Sequence, residues 1–399
     1  MKLLSHLSRV ITPGRTFIPQ IDGLRFIAIM AVIAFHVRAI CSFHFGVSLE
    51  SAVGSEGIVN RTFESGAGGV ELFFAISGFI LALPFAKHYL TGAAPVSLRA
   101  YYLRRLTRLE PPYIIQLVVL FVLCWVVFRR FPSHPNLYHN DAWLSYAGEH
   151  IGASLFYVNG FIFGKHPYPN IVLWSLEIEV QFYILAPFLV RIFKVSNVWV
   201  RRLCIAGVML GVTLVFHAFP APYWLGNSLA GNIPFFLAGF LLCDFYLTDW
   251  AGRPKGQHAW DGLFLLSVGA VLLLHNYTVL GIIFPWVILI CCAAAFRGIY
   301  CSKLLSQPWI VVIGGMCYTI YMYHWLMIST LIRMTVRLQT HVFWLDLIIQ
   351  FVLMSILIIA ACGVLFVLFE RPFMQRDWPA KLWAKMRPCP KPAPTPGAL

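Results

Sequence analysis

His36 sits inside IDGLRFIAIMAVIAFHVRAI, an apolar run where an imidazole is costly unless it faces a cavity or another helix. A neutral imidazole there can take a proton from a hydroxyl near physiological pH. It can equally serve as packing glue between helices, and spacing does not choose. Arg25 precedes it by eleven residues, three helical turns and roughly 16 Å along nearly the same face. Asp22 stands where a helix lets it pair with Arg25. A second set lies in NIVLWSLEIEVQFYILAPFLV, where Ser175, Glu179 and Tyr183 share one helical face. Glu177 points nearly the other way, so the two carboxylates cannot work as a pair; one is expected inside the bundle and one near the outer interface. Trp174 suits an aromatic belt. In GGMCYTIYMYHWLMI, Tyr318, Tyr321 and His324 recur every three residues, a polar stripe expected to face a cavity. In GGVELFFAISGFILALPF, Glu71 opens the run, and Ser77-Gly78 permits close helix approach, a kink or a cavity wall. Arg104, Arg105 and Arg108 precede Pro111-Pro112. On a short cytoplasmic amphipathic helix they would form a fork-like cluster suited to phosphates, or simply meet anionic lipid. Tyr101 and Tyr102 beside them suit stacking or an interface anchor.

The elements that position these residues follow from composition. Hydrophobic residues make up 59% of the 399 and charged residues 12%, against about 45–50% and about 25% in soluble domains. So few charges cannot cover a water-soluble surface of this size, and the mean hydropathy of +0.76 agrees. The apolar runs are long and continuous rather than alternating, so the expected fold is an all-α polytopic membrane protein, not a barrel. Disordered and nucleic-acid-binding classes are excluded. The net charge of +14 is explained by basic residues on the cytoplasmic side.

Runs of spanning length lie near residues 22–42, 68–87, 111–128, 172–192, 202–218, 229–247, 260–277, 280–297, 310–331 and 345–368. A weaker run, 146–163, carries Gly148, Glu149, His150, Asn159 and Gly160. If it does not cross, Arg99, Arg104, Arg105, Arg108, Arg191, Lys194, Arg201 and Arg202 all fall inside, and few basic residues remain outside. The expectation is therefore a bundle of about 10 transmembrane helices with both termini cytoplasmic and 146–163 as a re-entrant or interfacial segment. The corresponding domains are a cytoplasmic segment at 1–17, a membrane domain at 18–378 and a Pro-rich cytoplasmic tail at 379–399. The first span is read as retained rather than as a signal peptide. Cysteines sit mostly in apolar runs with no metal-like spacing, so no metal is expected. No GxSxG, HExxH, Walker or Rossmann fingerprint is present. The residues alone leave two classes open: a proton-coupled transporter using His36 and Glu179, and an enzyme passing an acyl group from a phosphate-rich cytoplasmic donor to an outer hydroxyl.

Several ordered segments resemble the bacterial membrane acyltransferase-3 family over roughly residues 18–373. They are Asp22-Gly23-Leu24-Arg25 followed by His36; Phe73-Phe74-Ala75-Ile76-Ser77-Gly78-Phe79; Arg104-Arg105 with Arg108 and Pro111; Trp174-Ser175-Leu176 with Glu179, Phe182 and Tyr183; Gly315, Tyr318, Tyr321 and His324; and Glu370 with Pro372. Glu71 stands where the family more usually has aspartate, and Cys317 where it has serine. The resemblance implies an O-acyltransferase of the bacterial cytoplasmic (inner) membrane. Its co-substrate would be cytoplasmic acyl-coenzyme A, most simply acetyl-CoA, and its acceptor an extracytoplasmic carbohydrate or glycolipid hydroxyl. On that resemblance His36 is general base, Glu179 orients it or binds acceptor, and Arg25 contacts the donor or the oxyanion. Arg104, Arg105, Arg108 and Ser77 would hold the donor, with Glu71, Trp174, Ser175, Tyr183, Tyr318, Tyr321 and His324 lining the acceptor cavity. Larger members carry a soluble domain after the last span. Its lack here implies direct transfer or a separate acceptor-processing protein.

Overall fold

The computed structural model describes residues 7–10, 17–45, 57–130, 140–219, 221–274, 278–335, 337–340, 342–375 and 378–379. The expected tail lies outside them except for residue 379, as does most of the segment before residue 17. The architecture is all-α. Among the described residues six helical segments are long and apolar enough to cross a membrane, or seven if one bent pair counts as a single span. Among them α1 (Pro19–Phe45) runs through the centre, with Ala28, Ile29, Val32 and Ile33 almost wholly buried. After it come α2 (Gly57–Glu64), α3 (Gly69–Thr91) and α4 (Leu98–Arg130).

The basic stretch before Pro111 is not a separate amphipathic helix. It forms the opening turns of α4, which continues through Pro111 and Pro112 for 33 residues. Proline removes a backbone donor, but membrane helices tolerate it where neighbours meet the freed carbonyls. Here the Trp378 indole N–H donates to the carbonyl of Thr107, four residues before Pro111, at 3.0 Å.

The weak 146–163 run forms two short helices, α5 (Asn140–Leu155) and α6 (Asn159–Phe163), neither counted among the crossing helices. Between them Tyr157 adopts a left-handed backbone, φ 58°, uncommon outside glycine. That turn dips into the bundle: Tyr157 donates to Glu110 at 3.0 Å and stacks on Tyr113, whose hydroxyl bonds the Ser154 carbonyl at 2.8 Å. The chain then forms α7 (Leu173–Leu189) and α8 (Val198–Ala218), the short turn α9 (Tyr223–Gly226), and α10 (Leu229–Thr248). Next come α11 (His258–Leu274), α12 (Thr278–Arg297) and the short α13 (Tyr300–Leu305). The last helices are α14 (Pro308–Gly315), α15 (Cys317–Thr335) and α16 (Phe343–Leu365).

Two contacts set the geometry of the site. Gly78 of α3 lies against the Phe236 backbone and Gly239 of α10 against Ala75 and Phe79, so closely that a Cβ at either would strike backbone. Small residues are the usual device for such approach in membranes. Of the readings of Ser77-Gly78, the close approach holds for the glycine, while the serine donates to Glu179 across to α7. The second contact is a 69° bend between α14 and α15. Gly314, just before it, sits against the Asp22 backbone. The bend carries α15 alongside α1, so the chemistry-bearing faces of both line one interior seam. Outward, α8 exposes Trp199, Leu203, Val208 and Val215, an apolar face suited to lipid.

Candidate active site

At one end of the seam Asp22 is fully buried and its Oδ1 accepts from Arg25 at 2.9 Å and from Arg9 at 3.1 Å. The predicted i, i+3 pair therefore exists, with a second guanidinium added from the segment before α1. Arg108 lies within electrostatic range of Arg9 and of the buried Glu370, and its Nε is buried with no hydrogen-bond partner among the described residues. Glu370 accepts from the backbone N–H and hydroxyl of Thr319, at 3.1 and 2.5 Å, and so caps the start of α15 just past the bend. Arg105 lies over the Tyr101 ring at 3.5 Å and within 5.6 Å of the Tyr183 ring, a cation–π pairing. Arg104 is exposed and donates to its own helix's Ala100 carbonyl. The arginine run thus divides by helical face: Arg105 and Arg108 turn inward and Arg104 outward.

Midway along the seam, Glu179 Oε1 accepts from Ser77 at 2.6 Å and from the Tyr183 hydroxyl. Ser175 meets the Tyr321 hydroxyl at 2.6 Å. The Ser175–Glu179–Tyr183 face of α7 therefore meets both α3 and α15. Glu71 acts on Tyr321 through space.

At the other end the imidazoles of His36 and His324 lie 5.1 Å apart, with Trp325 at 5.0 Å from His36. His324 Nδ1 faces the Tyr321 carbonyl at 2.7 Å and the Ile320 carbonyl at 3.1 Å. Carbonyls only accept, so Nδ1 carries the proton and Nε2 is the bare nitrogen. That Nε2, and His36 Nδ1, are buried without a hydrogen-bond partner among the described residues. Two ring nitrogens in an apolar bundle, neither committed to a protein partner, suit a reaction that moves a proton from a guest molecule.

The family model described as "Acyltransferase domain" (Acyl_transf_3) matches residues 18–367. This chain belongs to that acyltransferase family. It is a multi-pass protein of the bacterial cytoplasmic membrane. Among curated relatives it is 23% identical over 360 residues to the O-acetyltransferase OatA of Staphylococcus aureus strain NCTC 8325, covering 81% of this chain and 52% of that one. It is 29% identical over 197 residues to the peptidoglycan O-acetyltransferase OatA of Listeria monocytogenes, covering 47% of this chain and 26% of that one. A putative O-acetyltransferase of S. aureus strain COL is 24% identical over 347 residues, covering 78% and 51%. The chain spans about half the length of the first of these. No solved structure matches it.

In this member of the family most of the predicted residues, though not the outward-facing Arg104, fall along one seam rather than around one point. Glu179 is engaged by Ser77 and Tyr183, while His36 has His324 and Trp325 as ring neighbours. Trp174 stands at the opening turn of α7, 5.9 Å from the His166 ring. Sequence reasoning missed three members. Arg9 lies in a short stretch before the first span, with nothing local to say that it folds back on Asp22. Glu370 was visible as a matched motif but not as a cap, because Thr319 is 51 residues away. His166 lies in the loop before α7 and acts on His36 through space, as His324 does.

Proposed function

We propose that the chain transfers an acyl group, most simply acetyl, from cytoplasmic acyl-coenzyme A to a hydroxyl of an extracytoplasmic sugar, surface polysaccharide or lipid-linked glycan. The observation that carries this reading is the seam itself. Arginines and a shared carboxylate stand at one end, bare imidazole nitrogens at the other, and a chain of hydroxyls and Glu179 between them. A donor with phosphates at one end and a thioester at the other has that polarity.

In this reading Arg25, Arg105 and Arg108, joined by Arg9, hold the phosphates of the donor, because guanidinium forks match phosphate oxygens. Arg104 belongs to the entrance. The pantetheine arm passes Ser77 and Glu179 and delivers the thioester toward His36. His36 takes the proton of the acceptor hydroxyl as its oxygen attacks the thioester carbonyl. The collapsing adduct expels coenzyme A thiolate, which regains a proton from the imidazolium. The bare Nε2 of His324 positions the His36 ring or the incoming hydroxyl, and Tyr318, Tyr321, Ser175, Tyr183, Glu71 and Trp174 line the path.

The same reading takes residues 18–378 as one acyltransferase domain with ten crossings and both ends in the cytoplasm. It adds α7, α11 and α12 to the long helices, counts the bent pair α14–α15 as one span, and takes α5–α6 as re-entrant. The placement of the arginines at one end of the seam supports that orientation. The relatives named O-acetyltransferase support acetyl as the group moved.

The test uses purified protein in nanodiscs with labelled acetyl-CoA and extracted bacterial glycans, wild type beside His36→Ala. Label is expected on a glycan hydroxyl, and its transfer should fall by about 100-fold or more in the variant while acetyl-CoA still binds. Equal transfer by both proteins would remove His36 from the chemistry; no donor binding by wild type would overturn the reading.

A further inference from the structure

After the last long helix the chain returns to the arginine-bearing turns of α4. A short π-helical turn (Phe366–Glu370) and a 3₁₀ turn (Arg371–Met374) pack against α4, and Trp378 then meets it again at the Thr107 carbonyl. That carbonyl belongs to the residue beside Arg108. An indole has one hydrogen-bond donor and no acceptor, so this contact uses it and sets the nitrogen-bearing edge of the ring against the helix. Phe373 lies at right angles to the indole with ring centroids 4.8 Å apart and braces it. The ring is half-buried, so aromatic surface stays open next to the donor arginines. An indole that only marks the membrane interface turns its N–H to headgroups or water; Trp378 is instead locked in place by the helix that carries the cations. The nearest of these has no anion bonded to it. Half-buried Arg108 meets Glu370 and Arg9 only through space and makes no hydrogen bond among the described residues. A fixed aromatic ring beside an uncommitted guanidinium is the pairing that nucleotides take, base on the ring and phosphate on the fork.

We infer that Trp378 is a platform for a purine base: the adenine of the donor stacks on the open side of the indole while Arg105 and Arg108, on the same turn of α4, hold the phosphates. Coenzyme A joins its parts in that order, base first, then phosphates, then the pantetheine arm that enters the seam. A thioester carried on phosphopantetheine alone brings no base, so Trp378 selects the coenzyme A thioester over the same thioester on the shorter carrier. The inference rests on the acyl-coenzyme A reading of the seam and adds the residue that recognises the nucleotide. Trp378 then has two separable tasks, the Thr107 carbonyl through its N–H and the base through its ring.

The experiment titrates acetyl-CoA and acetyl-phosphopantetheine into the full chain in nanodiscs by calorimetry. It compares wild type, Trp378→Ala and Trp378→Phe, with thermal melts as the check on folding. Wild type should bind acetyl-CoA at least about tenfold tighter than acetyl-phosphopantetheine. Trp378→Ala should weaken acetyl-CoA about tenfold, in the range of one stacked base, and leave acetyl-phosphopantetheine within about twofold. Trp378→Phe keeps a ring and loses the N–H, so it should stay within about threefold of wild type for both. Equal weakening of both donors by Trp378→Ala, no weakening of either, or a Trp378→Phe as poor as Trp378→Ala would overturn the platform and leave only the Thr107 contact. Wild type binding the two donors alike would overturn it too, whatever the variants do. Acyl transfer to a glycan that runs equally well from both donors would sink the platform and leave the acyltransferase reading standing. Donor discrimination lost in Trp378→Ala, with no label reaching any glycan, would do the reverse. Wild type that binds neither donor would overturn both.

Discussion

At one end of the seam Asp22 is gripped by two guanidiniums at 2.9 and 3.1 Å, with Arg108 nearby. At the other, His36 faces His324 ring to ring, and the groups acting on it through space are imidazoles rather than carboxylates. The first arrangement holds permanent charge and suits a permanently charged ligand. The second holds imidazoles whose unpartnered ring nitrogens suit a ligand that brings a proton rather than a fixed charge. In the proposed reading the contrast lets one apolar bundle separate gripping a donor from activating an acceptor, with hydroxyls and the Glu179 carboxylate in between.

The sharpest way to break that contrast is at the histidine end. His36→Ala should lower transfer by roughly 10²- to 10⁴-fold, the usual worth of a general base, with donor affinity unchanged; single-turnover kinetics beside acetyl-CoA binding would reveal any loss of binding instead. Arg25→Met tests the other end. It should raise the KM for acetyl-CoA by about 10- to 100-fold, the equivalent of one charge-assisted hydrogen bond, and change kcat far less. A fall in kcat alone would move Arg25 into the chemistry. Glu179 tests the middle. Glu179→Ala strands the hydroxyls of Ser77 and Tyr183 and should cost about 1–3 kcal/mol of stability, whereas Glu179→Gln keeps an acceptor oxygen and should cost less than half of that. Thermal melts in nanodiscs compare the two, and equal losses would mean that charge, not hydrogen bonding, is what Glu179 supplies. Arg104→Ala should be the mildest, under about threefold in any parameter, because an exposed charge off the seam contributes little. A large KM effect there would redraw the donor site.

What could be read from the sequence was whatever one helix carries by itself. The i, i+3 pair Asp22–Arg25, the shared face of Ser175, Glu179 and Tyr183, and the stripe Tyr318–Tyr321–His324 all follow from 3.6 residues per turn, and the structure places each set on one side of its helix. The opposition of Glu177 and Glu179 was legible in the same way, one bonding Gly160 and the other Ser77. Partners across helices were not legible. Nothing local joins Gly78 to Phe236, Glu370 to Thr319 or Arg9 to Asp22, and those contacts set the depth of the seam. The prolines in α4 also misled, because the Thr107 carbonyl that Pro111 leaves without its donor is met here by Trp378.

The most direct measurement places the protein in sealed vesicles of known orientation, with labelled acetyl-CoA on the face that carries the Arg25 end and a glycan acceptor on the other. The account predicts label on the acceptor across the membrane for wild type and almost none for His36→Ala. Label confined to the acetyl-CoA compartment, or equal transfer across the membrane by the variant, would contradict it.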